Sequence, residues 1–152
     1  MAWLDPATGV WCLSRPDVIP TESGDFVDLK TTRDIVSHAA LTRVIGEHAY
    51  HMQAALCREG WRVISGQGMT SFSFYFIETK RPYCARMMQV MDRALDLGER
   101  QNRMARQRFV KASNSGHWPG PGGLQEMVGM IDLADRVKDV MERDLRQWEG
   151  QG

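Results

Sequence analysis

Two short stretches of this 152-residue chain hold residue types that can do chemistry together: Arg15-Pro16-Asp17 and Asp28-Leu29-Lys30-Thr31-Thr32. Side chains alternate along a strand, so in a strand Asp28 and Lys30 share one face and Leu29 points away. If the first stretch ends a preceding strand, Asp17 can approach Asp28 across a hairpin. Two carboxylates and an ammonium then gather on one sheet edge. Carboxylates placed together repel each other unless a cation joins them. Magnesium is a hard cation often held by one or two carboxylates plus waters and a substrate phosphate, and Mn²⁺ suits the same ligands. An ion there could polarise a phosphodiester and make a water more acidic. Lys30 could position or help deprotonate that water, or neutralise charge developing on the phosphate. The pattern points to metal-assisted phosphodiester hydrolysis. The plain alternative is that Asp17 favours a turn and Asp28 with Lys30 is a solvated surface pair, because so short a pattern also arises by chance.

The elements that must position these residues are legible in outline. Residues 1–9 read as a lead-in with a turn-like Asp5-Pro6-Ala7-Thr8-Gly9 string. Val10 to Asp17 and Phe26 to Thr32 read as two strands, joined by a turn carrying Pro20, Ser23 and Gly24 into a hairpin. A helix is expected from Ser37 to Glu59, with Leu41, Val44, Ile45, Met52, Ala55 and Leu56 at helical spacing and Gly60 as its stop. Ser71 to Glu78 is aromatic-rich and reads as a buried strand. A turn at Lys80-Arg81-Pro82 leads to a strand from Tyr83 to Val90, and a helix follows from Asp92 to Lys111. Gly116 to Gly123 is a linker. Leu124 to Trp148 reads as an amphipathic helix, with Leu124, Met127, Val128, Ile131, Ala134, Val137, Met141, Leu145 and Trp148 on one stripe. The order predicts an α/β layer fold with mixed strand directions.

Composition is that of an ordinary globular protein, 43% hydrophobic and 25% charged, and long enough for one domain with a real core. The formal net charge of zero gives no global basic field, though a local basic strip could still bind nucleic acid. Cys12, Cys57 and Cys84 fit neither a disulfide framework nor a zinc site and read as reduced core thiols of a cytoplasmic protein. The first residues lack the n- and h-regions of a signal peptide, and no apolar run reaches the roughly 20 residues of a membrane helix.

The runs Arg15-Pro16-Asp17, Val27 to Thr32 and Tyr50-His51-Met52-Gln53-Ala54-Ala55 together resemble the catalytic domain of RecE-type phage exonucleases, within the PD-(D/E)XK superfamily. The likeness extends through Phe72 to Glu78, Arg81-Pro82-Tyr83 and on to Trp118-Pro119-Gly120. It implies a restriction-endonuclease-like core, a mixed β-sheet flanked by helices, over residues 1–120, with linker and C-terminal helix over 121–152. It also implies Mg²⁺- or Mn²⁺-dependent exonucleolytic hydrolysis of linear double-stranded DNA in phage or prophage recombination, inside a bacterial host cell. Asp17, Asp28 and the backbone carbonyl of Leu29 would be metal ligands and Lys30 the catalytic lysine. Gln53 would lie beside the active site and help hold water or DNA. Arg15, Thr31, Tyr50 and Gln53 would face DNA, although a helical Tyr50 equally fits a core aromatic. A ring-forming homo-oligomer and a single-strand annealing protein are the partners the resemblance suggests. RecB-branch relatives often carry a tyrosine four residues after the glutamine; here Cys57 stands there. Relatives also have a helix ahead of the first strand that supplies a further active-site residue, and only nine residues precede Val10. That departure supports a rival reading, a short non-catalytic chain that keeps the fold and binds DNA or a subunit.

His38, His48 and His51 lie along the first expected helix and read as polar or packing positions rather than a metal site, which would need further ligands. His117 falls in the linker. Arg93, Arg100, Arg103, Arg106, Arg108 and Lys111 enrich one helix in positive charge. They could track a DNA backbone, but read more simply as a solvated face balanced by Asp92, Asp96 and Glu99. The stripe of the last helix would cap the domain or pair with another subunit.

Overall fold

A computed structural model describes residues 1–20, 22–33, 35–120 and 135–149. Residues 1–117 form one compact unit, and a second begins at Trp118. The chain opens with β1 (Ala2–Leu4) and β2 (Trp11–Leu13), paired antiparallel. The turn between them closes on Asp5, whose carbonyl accepts the N–H of Gly9 at 2.8 Å, with Gly9 at a positive φ of 70°. Trp3 and Cys12 face inward, while Leu4, Trp11 and Leu13 face out.

This differs from the expected hairpin of residues 10–17 with 26–32. β2 pairs with the lead-in, and beyond it only Val18 meets Val27, in a single antiparallel bridge. Pro16 and Pro20 flank that bridge and have no N–H to donate, so a continued ladder cannot form there.

The main sheet has the order β3 (Asp25–Thr32), β4 (Ser71–Glu78), β5 (Ala85–Gln89), with β3 parallel to β4 and β5 antiparallel to it. A parallel pair needs a long crossover, supplied by α1 (His38–Glu47) and α2 (Tyr50–Ser65). In register, Phe26, Asp28, Lys30 and Thr32 stand beside Phe72, Phe74, Phe76 and Glu78 on one face. Phe26, Phe72, Phe74 and Phe76 are fully buried there and pack with Leu41, Ala54, Cys57 and Leu95 as the core. On the opposite face Leu29 and Met87 are about half exposed, at 48% and 56%.

Ser37 caps α1, its Oγ accepting the Ala40 N–H at 3.2 Å. The single helix expected over 37–59 is in fact two. Ala49 takes a left-handed conformation, φ 53° and ψ 33°, and breaks it. Alanine carries a Cβ that costs about 1–2 kcal/mol in that region. Ala49→Gly is therefore expected to raise stability by up to ~1 kcal/mol despite glycine's extra unfolded-state freedom, read as a higher denaturant midpoint with unchanged m. A lower midpoint would show that the left-handed turn is not strained.

Gly60 does not stop α2. A Cβ there would lie 2.5 Å from the Trp3 ring, so glycine serves close packing of the hairpin, and the helix ends at left-handed Gly66. Gly98 plays the same part in α3 (Asp92–Ser115), where a Cβ would meet the His51 carbonyl at 2.7 Å. α3 packs along α2, and Asn102 Nδ2 donates to the Met52 carbonyl at 2.9 Å. In the second unit α4 spans Asp135–Glu149, with Val137, Met141 and Leu145 exposed. The stripe positions Leu124 to Ala134 and linker residues 121–123 lie outside the described residues. Among the described residues no helix is long and apolar enough to cross a membrane.

Candidate active site

Alternation along β3 carries Asp28 into the core side of the sheet, where it is 3% exposed between Phe26 and Lys30. A buried carboxylate needs partners, and Asp28 has two. Gln53 Nε2, one turn into α2, donates to Oδ1 at 3.0 Å. Lys30 Nζ stands 2.5 Å from Oδ2, an ion pair that supplies the buried oxygen's counter-charge. The Lys30 ammonium also sits over the Tyr50 ring, 4.8 Å from its centroid, and near Phe74 at 5.6 Å. Tyr50 thus packs on the phenylalanine row while its ring flanks the lysine.

Asp17 reaches this edge by a route other than a ladder. Its Oδ2 accepts the Leu29 N–H at 2.8 Å, which fixes the carboxylate on the peptide that joins Asp28 to Leu29. β3 is an edge strand, and the exposed Asp17 occupies one of its open donors. Asp17, Asp28, Lys30, Gln53, Tyr50 and the Leu29 backbone are therefore neighbours. Thr31 is not among them: it lies with Leu29 on the other face of the strand. Arg15 is exposed, two residues before Asp17.

Three features of the structure are not legible in the sequence. His48 stacks on Tyr50, ring centroids 5.4 Å apart and planes at 29°. Glu78, buried at the end of β4, accepts the Val36 N–H on Oε1 and the Cys84 N–H on Oε2, both at 3.0 Å, and so ties down the loops that follow β3 and β4. A carboxylate closing an otherwise apolar strand is the only sequence mark of that role. Third, Asp96 and Glu99 do not balance the cations of their own helix but hold Arg58 of α2, at 2.7 and 2.9 Å.

Of the cysteines, Cys12 and Cys57 are buried as expected, whereas Cys84, in the turn before β5, is exposed. Burial pushes the Cys57 thiol up to about 12, against a hydrogen bond with Ser14. A folded-state value above the ordinary 9.0 means that stability is intact below pH 9 and falls as pH rises from there towards 12. In native protein a thiol reagent at pH 8 should modify Cys84 quickly and Cys57 only after unfolding. Equal rates at both would contradict the packing around Cys57.

A divalent ion fits the residues present. Asp28 is a buried carboxylate, Asp17 lies on the adjoining peptide, and both are the hard oxygen ligands such ions take. Among the described residues no group of three or more His, Cys, Asp or Glu side chains is placed to hold a metal, so the site offers two carboxylates.

Comparison with known proteins gives a family and a fold. A family model described as a PDDEXK-like domain of unknown function (DUF3799) matches residues 1–129. The chain belongs to this PDDEXK-like family. Among solved structures, a candidate exonuclease from Eubacterium rectale is similar at 18% identity and a TM-score of 0.50, over 76% of this chain. The chain spans 46% of that protein's length. At this identity the likeness speaks for the fold alone. It agrees with the expected α/β, restriction-endonuclease-like core with a mixed sheet and flanking helices. No curated protein matches the PDDEXK-like chain.

Proposed function

We propose that this PDDEXK-like protein is a metal-dependent nuclease of the RecE type that hydrolyses linear double-stranded DNA from its ends. The observation that carries the reading is the buried Asp28 carboxylate, held by the Gln53 amide on one oxygen and facing the Lys30 ammonium with the other. Exonuclease action, a setting in phage or prophage recombination and a cytoplasmic location rest on the resemblance of the Asp17, Asp28-Leu29-Lys30 and Gln53 segments to RecE-type enzymes. The name of the Eubacterium rectale protein points the same way. A ring-forming homo-oligomer and a single-strand annealing partner are part of the same proposal.

In this reading Asp17, Asp28 and the Leu29 carbonyl hold Mg²⁺ or Mn²⁺. Such an ion supplies positive charge that polarises a phosphodiester and makes a water more acidic. Gln53 fixes the Asp28 carboxylate, so that Oδ2 keeps its direction without reorganising. The Leu29 N–H does the same for Asp17. Lys30 holds the attacking water, or places its charge against the phosphate as negative charge grows there. Tyr50 confines the ammonium, and with Arg15 and Gln53 contacts the DNA strand.

The test compares linear and covalently closed duplex of equal length, with Mg²⁺ or Mn²⁺. Progressive loss of the linear form alone is the expected result. Nicking of closed circles would replace end-directed cleavage by an endonuclease, and loss of neither would remove the proposal.

A further inference from the structure

In a continuous α-helix, residues two apart do not face each other. His48 and Tyr50 are two apart, yet their rings lie stacked at 5.4 Å. The left-handed Ala49 between them makes this possible: it ends α1, starts α2 and turns both rings to one side. Strained non-glycine residues of this kind gather at functional sites. The arrangement is not core packing, because His48 is exposed. Rings instead run outward from buried Phe74 through half-buried Tyr50 to His48, with the Lys30 ammonium against the middle ring.

An exposed aromatic ring beside a cation matches a nucleotide, whose base stacks and whose phosphate is anionic. We propose that His48 and Tyr50 form an open ring stack that takes the unpaired nucleobase next to the phosphodiester held at Asp28 and Lys30. The proposal rests on the nuclease reading and deepens it. In a duplex interior both faces of a base are covered by its neighbours, and a base must leave the stack to expose them. A terminal or unpaired base has a free face at lower cost. The ring stack therefore makes the site selective for frayed ends and single-stranded tails.

The experiment uses the full chain and a single-stranded DNA oligonucleotide ending in 2-aminopurine, in EDTA so that nothing is cleaved. Stacking on a ring quenches this base, so wild type should bind the oligonucleotide and quench it. His48→Ala should lose the quench and bind about ten-fold more weakly, in keeping with the stacking of one base. His48→Phe should restore both, since it keeps a ring and discards the imidazole nitrogens. Thermal melts of both variants should match wild type, as His48 is exposed. Binding with no quench, or a quench indifferent to His48→Ala, overturns the ring stack and leaves the nuclease reading standing. No binding of the oligonucleotide by wild type overturns the ring stack alone, since the nuclease reading stands or falls on metal-dependent cleavage of linear duplex.

Discussion

Lys30→Ala leaves the chain folded and lowers metal-dependent cleavage by about 10²–10³-fold, the usual effect of removing one preorganised charge from a reacting site. The reason lies in the alternation of β3. Lys30 shares the Asp28 face and its ammonium stands 2.5 Å from Oδ2. Its side chain is 20% exposed and that of Asp28 4%, so the pair is largely shielded from solvent. Truncation strips a buried carboxylate of its counter-charge and should also lower stability, by ~1–3 kcal/mol. Lys30→Arg separates the two effects. It returns a cation and hence stability, while a planar guanidinium cannot stand where the ammonium does, so activity stays low. Steady-state cleavage and urea unfolding of both variants check this. Full activity in Lys30→Ala would assign the lysine to the ion pair alone.

Arg106→Ala is expected to cost ~3–5 kcal/mol of folding free energy, as is usual when one partner of a buried ion pair is removed. Arg106 reaches from α3 to Glu59 Oε2 and Asp5 Oδ2, each at 3.1 Å, and so joins the N-terminal hairpin to both long helices. All three side chains are nearly buried, at 12%, 11% and 9% exposure. Without the guanidinium, two carboxylates would share one dry site. Thr8 hydrogen-bonds Asp5 and, with Arg106 beside it, holds its carboxyl below the ordinary 3.8 despite burial. A depressed value gives stability that is present above pH 3.8 and lost as pH falls below it. The gap between Arg106→Ala and wild type should therefore narrow in acid. Urea unfolding at pH 7 and pH 3 measures both. A gap under ~1 kcal/mol at pH 7 would mean that the network is solvated.

Much of this architecture is legible in the sequence, for identifiable reasons. β4 runs over the expected Ser71–Glu78 because its phenylalanines at alternate positions face one core. Asp28 and Lys30 share a face through the same alternation on β3. What stayed hidden depends on contacts distant in sequence or on strain. The short hairpin of β1 and β2 lies where the sequence suggests a lead-in, because three-residue strands carry too little periodicity to register. Ala49 is a strong helix former by propensity and nothing marks its left-handed turn, so neither the helix break nor the ring pair it creates could be foreseen. Gly60 looked like a stop, and only the Trp3 ring 2.5 Å from its absent Cβ explains it. Arg106 reads as one cation in a solvated row, while its partner Glu59 sits 47 residues away and Asp5 lies at the far N-terminal end.

The most direct test is degradation of end-labelled linear duplex by the purified chain with Mg²⁺ or Mn²⁺, beside an EDTA control and Asp28→Ala. The account predicts degradation that needs the ion and disappears in Asp28→Ala, with the variant still folded by circular dichroism. A folded wild-type chain that binds the duplex and leaves it intact, with either ion, would contradict it and leave a PDDEXK-like fold that holds DNA without cutting it.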